Sequence, residues 1–246
     1  GDIAKCSRAR VLEEIYKLLR GGASRRSFEL LLESRMMTEL MPSYLELFRK
    51  LAAPGLAGPA SKTRPGEPSR ILWNLLGALD EYSNATGQIA SNGVLLAVLF
   101  APLLDEQWLT ASRQGLDRLI DDLMNPVCNG LGVARRDREL ARQILMAHRR
   151  MVESLSRRKR RPSLVQRQYF HDALVFLGLT VKSRGGDGSE LAHWQRLAAV
   201  TQPLRADDTS GGGGDFDPAG RKRKRRRTRR PGAPGGDGRR PEPGSP

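Results

Sequence analysis

A chain of 246 residues is long enough for one or two domains with a real core, and 39% hydrophobic with 28% charged residues suits a soluble helical protein. Its 42 Lys and Arg against 27 Asp and Glu leave a net charge of +15, which points to a polyanionic partner, nucleic acid first and an anionic membrane surface second. Two cysteines, Cys6 and Cys128, form no disulfide framework and suit a reducing cytoplasm, while the longest apolar run, Val94 to Leu104, falls well short of the roughly 20 residues that cross a bilayer.

Taken in chain order, the pattern is helical throughout. The chain begins at Gly1 rather than a methionine and reads as a piece of something longer; no signal peptide is visible, and a missing natural N-terminus would hide one. Ser7 caps a first helix that Gly21-Gly22 stops, with Arg10, Glu13 and Glu14 as charges in its opening turn. A second helix runs from about Ser24 to Ser34, then a turn through MMTELMP leads to a short third near 43–53. Residues 54–68, PGLAGPASKTRPGEP, are a Pro- and Gly-rich loop. Ser69 opens a helix in which Ile71, Leu72, Leu75, Leu76 and Leu79 follow the 3.6-residue period. The apolar run 91–104 and helices near 112–129, 135–158, 163–182 and 189–202 complete the series.

The chain changes character at 203. Residues 203–246 hold seven of the fifteen prolines, ten of the 26 glycines, and twelve basic against six acidic residues. A segment of that composition cannot bury a core, so it is expected to be a disordered basic tail. The fold class is therefore all-α, an irregular helical assembly with a disordered tail, divided as 1–53, 54–68, 69–202 and 203–246.

Chemistry is sparse. His148, His171 and His193 lie far apart with no carboxylate or cysteine at ligand spacing, and no Gly-rich loop follows a strand to cradle phosphate. Asp215-Phe216-Asp217 has the acid-x-acid form that two-metal nucleotidyl transfer uses, but it sits between GGGG and a proline rather than on a rigid element. Asp121 and Asp122 point to different helix faces. Trp73, Trp108 and Trp194 read as packing residues, and Phe170, Leu174, Leu177 and Val181 space as one apolar face. No catalytic residue, metal ligand or cofactor site is expected in this chain.

Basic residues carry what function remains. Arg135, Arg138, Arg142 and Arg149 fall within roughly 60° on one helical face. Leu140, Ile144, Met151 and Leu155 occupy the other side, and Glu153 lies on the arginine face. The helix runs on into Arg157, Arg158, Lys159, Arg160 and Arg161. A phosphate track and a solvated face both fit this stripe; continuity into a five-residue basic run favours RNA. Such binding releases condensed counterions and is strong at low salt but poorly sequence-specific. In the tail, Arg221, Lys222, Arg223, Lys224, Arg225, Arg226, Arg227, Arg229 and Arg230 place nine charges in ten positions, with no aromatic to stack on a base. A run of this kind also resembles a nuclear localisation signal.

RARVLEEIYKLLRGG, the following FELLLES and TELMP, then NGVLLAVLFAPLL, LMNPVCNGLGVARRDRELARQILMAHRRM, RRPSLVQRQYFHDALVFLGL and LAHWQRL form a colinear series. In that order it resembles the neck and body of bacterial poly(A) polymerases, relatives of the CCA-adding enzymes in the tRNA nucleotidyltransferase family. The Arg- and Pro-rich C-terminus is typical of the poly(A) polymerases. The family's catalytic head, with Gly-Ser, acid-x-acid and nucleotide-selecting motifs, has no counterpart here, so the resemblance covers neck, body and tail. It implies that Arg10, Glu13 and Glu14 face a head. It also implies binding of single-stranded RNA 3′ ends without sequence preference, RNA-degradation proteins as further partners, and a cytoplasmic location with no membrane contact. AMP addition from ATP, in mRNA polyadenylation and turnover, would need the head and Mg; alone the chain is expected to be inactive. Two alternatives stand beside this: a non-enzymatic helical nucleic-acid-binding protein with a basic tail, and a helical scaffold whose tail docks on acidic proteins or membranes.

Overall fold

Serine starts three of the principal helices. In the computed structural model, which describes residues 7–52, 67–104, 111–156 and 162–201, the hydroxyls of Ser7, Ser91 and Ser112 each accept a backbone N–H three residues on. These are the amides that a helix cannot satisfy internally. All regular structure among the described residues is helical: α1 (Arg8–Arg20), α2 (Ser24–Glu33), α3 (Met36–Leu40), α4 (Pro42–Ala52), α5 (Glu67–Thr86), α6 (Asn92–Phe100) with a 3-10 turn Ala101–Leu103, α7 (Arg113–Leu131), α8 (Arg135–Ser156), α9 (Pro162–Val165), α10 (Phe170–Ser183) and α11 (Ser189–Thr201). No described helix is long and apolar enough to cross a membrane.

Two boundaries and one placement of charges depart from the sequence expectation. The MMTELMP turn is the short helix α3, entered through Arg35 in a left-handed conformation (φ 61°). The segment expected as one helix over 163–182 is two, because Gln166–Tyr169 takes three-residue turns, with Arg167 N–H donating to Leu164 O and Phe170 N–H to Arg167 O. And α1 begins at Arg8, so its first turn holds arginines while Glu13 and Glu14 sit a turn further on, where the helix dipole does little for them. The expected tail 203–246 and most of the 54–68 loop lie outside the described residues.

The core is built around α6. Every residue from Gly93 to Phe100 is buried, so the apolar run reads as a helix covered on all sides. It packs chiefly against α8, with α5, α10 and α1 around it. Helices α1–α4 share this core with the later ones, through Ile15, Tyr16, Leu19, Phe28, Met37 and Tyr44. A second cluster joins α8–α11, where Trp194 is fully buried among Met151, Leu164, Phe170, Leu177 and Val181. That places the apolar face of α10 and the packing role of Trp194 as the spacing suggests; Trp73 is half-buried, and Trp108 lies outside the described residues.

Polar contacts fix how α1–α4 sit on the rest. Gly22 takes φ 71°, and its carbonyl accepts from Asn84 Nδ2 at 3.1 Å. The cap residue of α2, Ala23, has no side chain that can satisfy the helix. Asp80 of α5 does so instead, accepting Ser24 N–H at 2.6 Å and Arg25 N–H at 3.0 Å. Replacing a capping side chain costs about 0.5–2 kcal/mol. Asp80→Ala is therefore expected to lower the urea midpoint by a stability loss near the upper end, about 1–2 kcal/mol, and Asp80→Asn by about half as much. An Ala variant as stable as its parent would show that the carboxylate does not hold the junction.

Candidate nucleic-acid interface

The arginine stripe of α8 is where the sequence put it, but it does not face open solvent. Helices α7 and α8 form an antiparallel hairpin closed by Gly132 in the left-handed conformation (φ 68°), with Val133 N–H donating to Cys128 O at 2.9 Å. Along the seam, partners on the α7 side run backwards as those on α8 run forwards. Arg138 Nη1 donates to Asn125 Oδ1 at 3.0 Å, and Arg142 Nη1 to Asp117. Arg149 Nη2 donates to the Ala111 carbonyl at 2.6 Å. Within α8, Arg142 also grips Glu139 with two bonds of 2.8 and 2.9 Å, and Arg149 Nε pairs with Glu153 at 2.6 Å. The Arg142 guanidinium holds the Glu139 carboxyl below the usual carboxylate range. Arg149 is only 12% exposed.

Only Arg135 of the four stands exposed, and Arg136 beside it is exposed too. Arg136 lies off the stripe, so spacing along the helix does not single it out. Residues 157–161 and 221–230 lie outside the described residues. Arg10, Glu13 and Glu14 are exposed on α1; Glu14 pairs with Lys17 at 2.7 Å, and Arg10 N–H donates to Ser7 Oγ.

The α7–α8 corner meets the start of α1. A Cβ on Gly132 would lie 3.7 Å from Arg8 Cβ. There a cavity of about 190 Å³ opens between α1, the α3–α4 corner and the last turn of α7. Val11, Leu40, Met41, Val127 and Leu131 make its apolar walls, and Arg8, Glu39 and Ser43 its polar ones. No motif signalled it, since its residues come from three stretches far apart in the chain.

A half-buried polar cluster joins Arg20, Asn92 and Asp137. Arg20 donates to Asn92 Oδ1, Asn92 Nδ2 donates to Asp137 Oδ2 at 2.7 Å, and the Arg20 guanidinium carbon sits 5.3 Å from the Tyr16 ring centroid. Burial, and then the Asp137 charge, push the Tyr16 hydroxyl well above its ordinary pKa. The cluster ties α1 to α6 and α8. His148 is buried against Phe176 with one ring nitrogen 3.0 Å from Thr180 Oγ1, and burial drives its pKa down to about 3. Burial likewise pushes the Cys128 thiol up to about 11. Among the described residues no group of three His, Cys, Asp or Glu side chains comes together to hold an ion. Asp121 is half-buried and Asp122 exposed, while 215–217 lie outside the described residues.

Two family models match. One, described as the probable RNA and SrmB-binding site of polymerase A, covers residues 1–47; the other, described as the polymerase A arginine-rich C-terminus, covers residues 110–231. Between them they span more than half of the chain. No curated protein matches it.

Proposed function

The chain belongs to the poly(A) polymerase family and carries its RNA-binding portion, and from that premise we propose that it holds single-stranded RNA 3′ ends while AMP is added to them from ATP. The observation that carries this reading is the order of the two matched regions along one helical chain, an RNA-binding stretch first and an arginine-rich one after it. On this reading the reaction serves mRNA polyadenylation and turnover in a bacterial cytoplasm, with RNA-degradation proteins as further partners. Adenylyl transfer uses Mg held by rigid carboxylates. By likeness to the family we assign the transfer to a catalytic head, and the share of these helices is to hold the strand.

Holding is electrostatic at first order, and the net charge of +15 supplies the means. For single strands, log K falls against log salt by about 0.7 per phosphate neutralised. Removing residues 203–246 takes away twelve basic residues. It is expected to weaken binding of a single-stranded RNA oligomer and to flatten the salt dependence, while leaving measurable binding by the helical part. Fluorescence anisotropy across a salt series reads both. Complete loss on truncation would assign all binding to the tail, and a salt-independent affinity in the full chain would remove the electrostatic reading.

A further inference from the structure

We propose that the cavity between the start of α1, the α3–α4 corner and the last turn of α7 takes one unpaired nucleobase of the bound strand, with the flanking phosphates on Arg8 and on the Arg135–Arg136 pair. This rests on the RNA-holding role above and gives it a site.

Three observations converge. The first is the room: about 190 Å³ between apolar walls suits a flat ring that has left its stack. RNA recognition by protein works mostly on splayed, unstacked bases held by apolar surface and by hydrogen bonds to their edges. The second is charge nearby. Arg8 lines the cavity, and Arg135 and Arg136 follow three and four residues after Gly132, whose Cβ would lie 3.7 Å from that of Arg8. All three are exposed; among the described residues no side-chain hydrogen bond or ion pair holds them, and Arg135 acts on Glu139 through its charge alone, unlike the arginines committed to the α7–α8 seam. Guanidinium groups open to solvent near an apolar hole suit a phosphate chain that turns one base inward. An apolar side chain of a protein partner would gain nothing from them.

The third is Gly130. It sits exposed in the last turn of α7, where alanine would be the better helix former by about 1 kcal/mol. A Cβ there would meet only Ser43 Oγ, at 3.9 Å, an ordinary contact, so a methyl is tolerated and only a larger side chain would enter the cavity. Beside it, Ser43 and Glu39 offer hydrogen-bonding edges, and the Glu39 carboxylate can accept from an exocyclic base amine.

The test uses the full chain and two labelled probes of equal length and charge: a short oligoadenylate and an abasic ribose-phosphate strand. The full chain is expected to bind the oligoadenylate about tenfold more tightly, the range that engaging one base supplies. Gly130→Phe should plug the cavity and bring oligoadenylate affinity down to the abasic level, without changing abasic affinity or the salt slope. Gly130→Ala should keep the preference. Ser43→Leu narrows the cavity from the other side and should act like Gly130→Phe, which covers the case in which the phenylalanine variant does not fold. Equal binding of both probes by the parent overturns the pocket alone and leaves the room to an apolar side chain of a protein. A preference that survives both plugs overturns it as well. Displacement of the label by free AMP as completely as by unlabelled strand would mean that the cavity takes mononucleotides, not a strand. If neither probe binds, the RNA reading fails and the pocket with it.

Discussion

Gly93→Ala should destabilise this protein by about 2–3 kcal/mol, more than most single substitutions that add one methyl group. Gly93 lies in the first turn of α6, fully buried, where α6 crosses α8. A Cβ there would drive into Leu140 of α8, closest to its Cγ, with Cδ2 at 2.7 Å and Cβ at 3.0 Å. Rotating Leu140 moves its branch but not its Cβ, so the helices themselves must separate. Overpacking costs about 1–3 kcal/mol and occasionally more. The first turn of a helix recovers less than the roughly 1 kcal/mol that alanine gains over glycine in a helix interior. The pairing can be isolated in part: Leu140→Ala removes Cγ and Cδ2 but keeps Cβ, so on that background Gly93→Ala should cost less, about 1 kcal/mol, a coupling typical of residues in contact. If Gly93→Ala costs the same on both backgrounds, the close crossing is not its cause.

Much of this crossing could be read in the sequence. An eleven-residue apolar run has no polar face to offer water, the resemblance made it a buried helix, and α6, which takes up its first part, is one. The 3.6-residue spacing of Leu72, Leu75, Leu76 and Leu79 likewise placed α5 on the core. Where the sequence misled, the deciding contact lay elsewhere in the chain. Nothing at 166–169 is a glycine or proline, so no local residue announces the break between α9 and α10. That break lets Leu164 reach the cluster around Trp194. The α2 cap could not be foreseen, since Asp80 is 56 residues from the amide it accepts. Periodicity also says which arginines share a face but not what stands opposite. Asp117, Asn125 and the Ala111 carbonyl belong to another segment, and they turn an open stripe into a helix–helix seam. The cavity was hidden for the same reason, its walls being drawn from α1, α3–α4 and α7.

That seam makes the arginines separable by experiment. Arg149→Gln is expected to cost about 2–3 kcal/mol, because it removes a largely buried charged donor from the Ala111 carbonyl and breaks the 2.6 Å pair with Glu153. Arg142→Gln should cost less, about 1–2 kcal/mol: Arg142 is 27% exposed, and its partners Asp117 and Glu139 stand more than two-fifths in solvent, where water screens the pairing. Arg135→Gln should stay within about 0.5 kcal/mol of the parent, as exposed changes away from such contacts do. The order reverses for RNA. Arg135→Gln should lower the salt slope by about 0.7, one phosphate contact. Arg149→Gln should leave both slope and affinity per folded molecule unchanged at a temperature where the variant is still native. Urea midpoints and anisotropy on the same preparations give both readings. Should Arg149→Gln keep the parental midpoint and lose salt dependence instead, the guanidinium must be leaving the seam to meet phosphate, and the stripe on α8 would be a track for RNA after all.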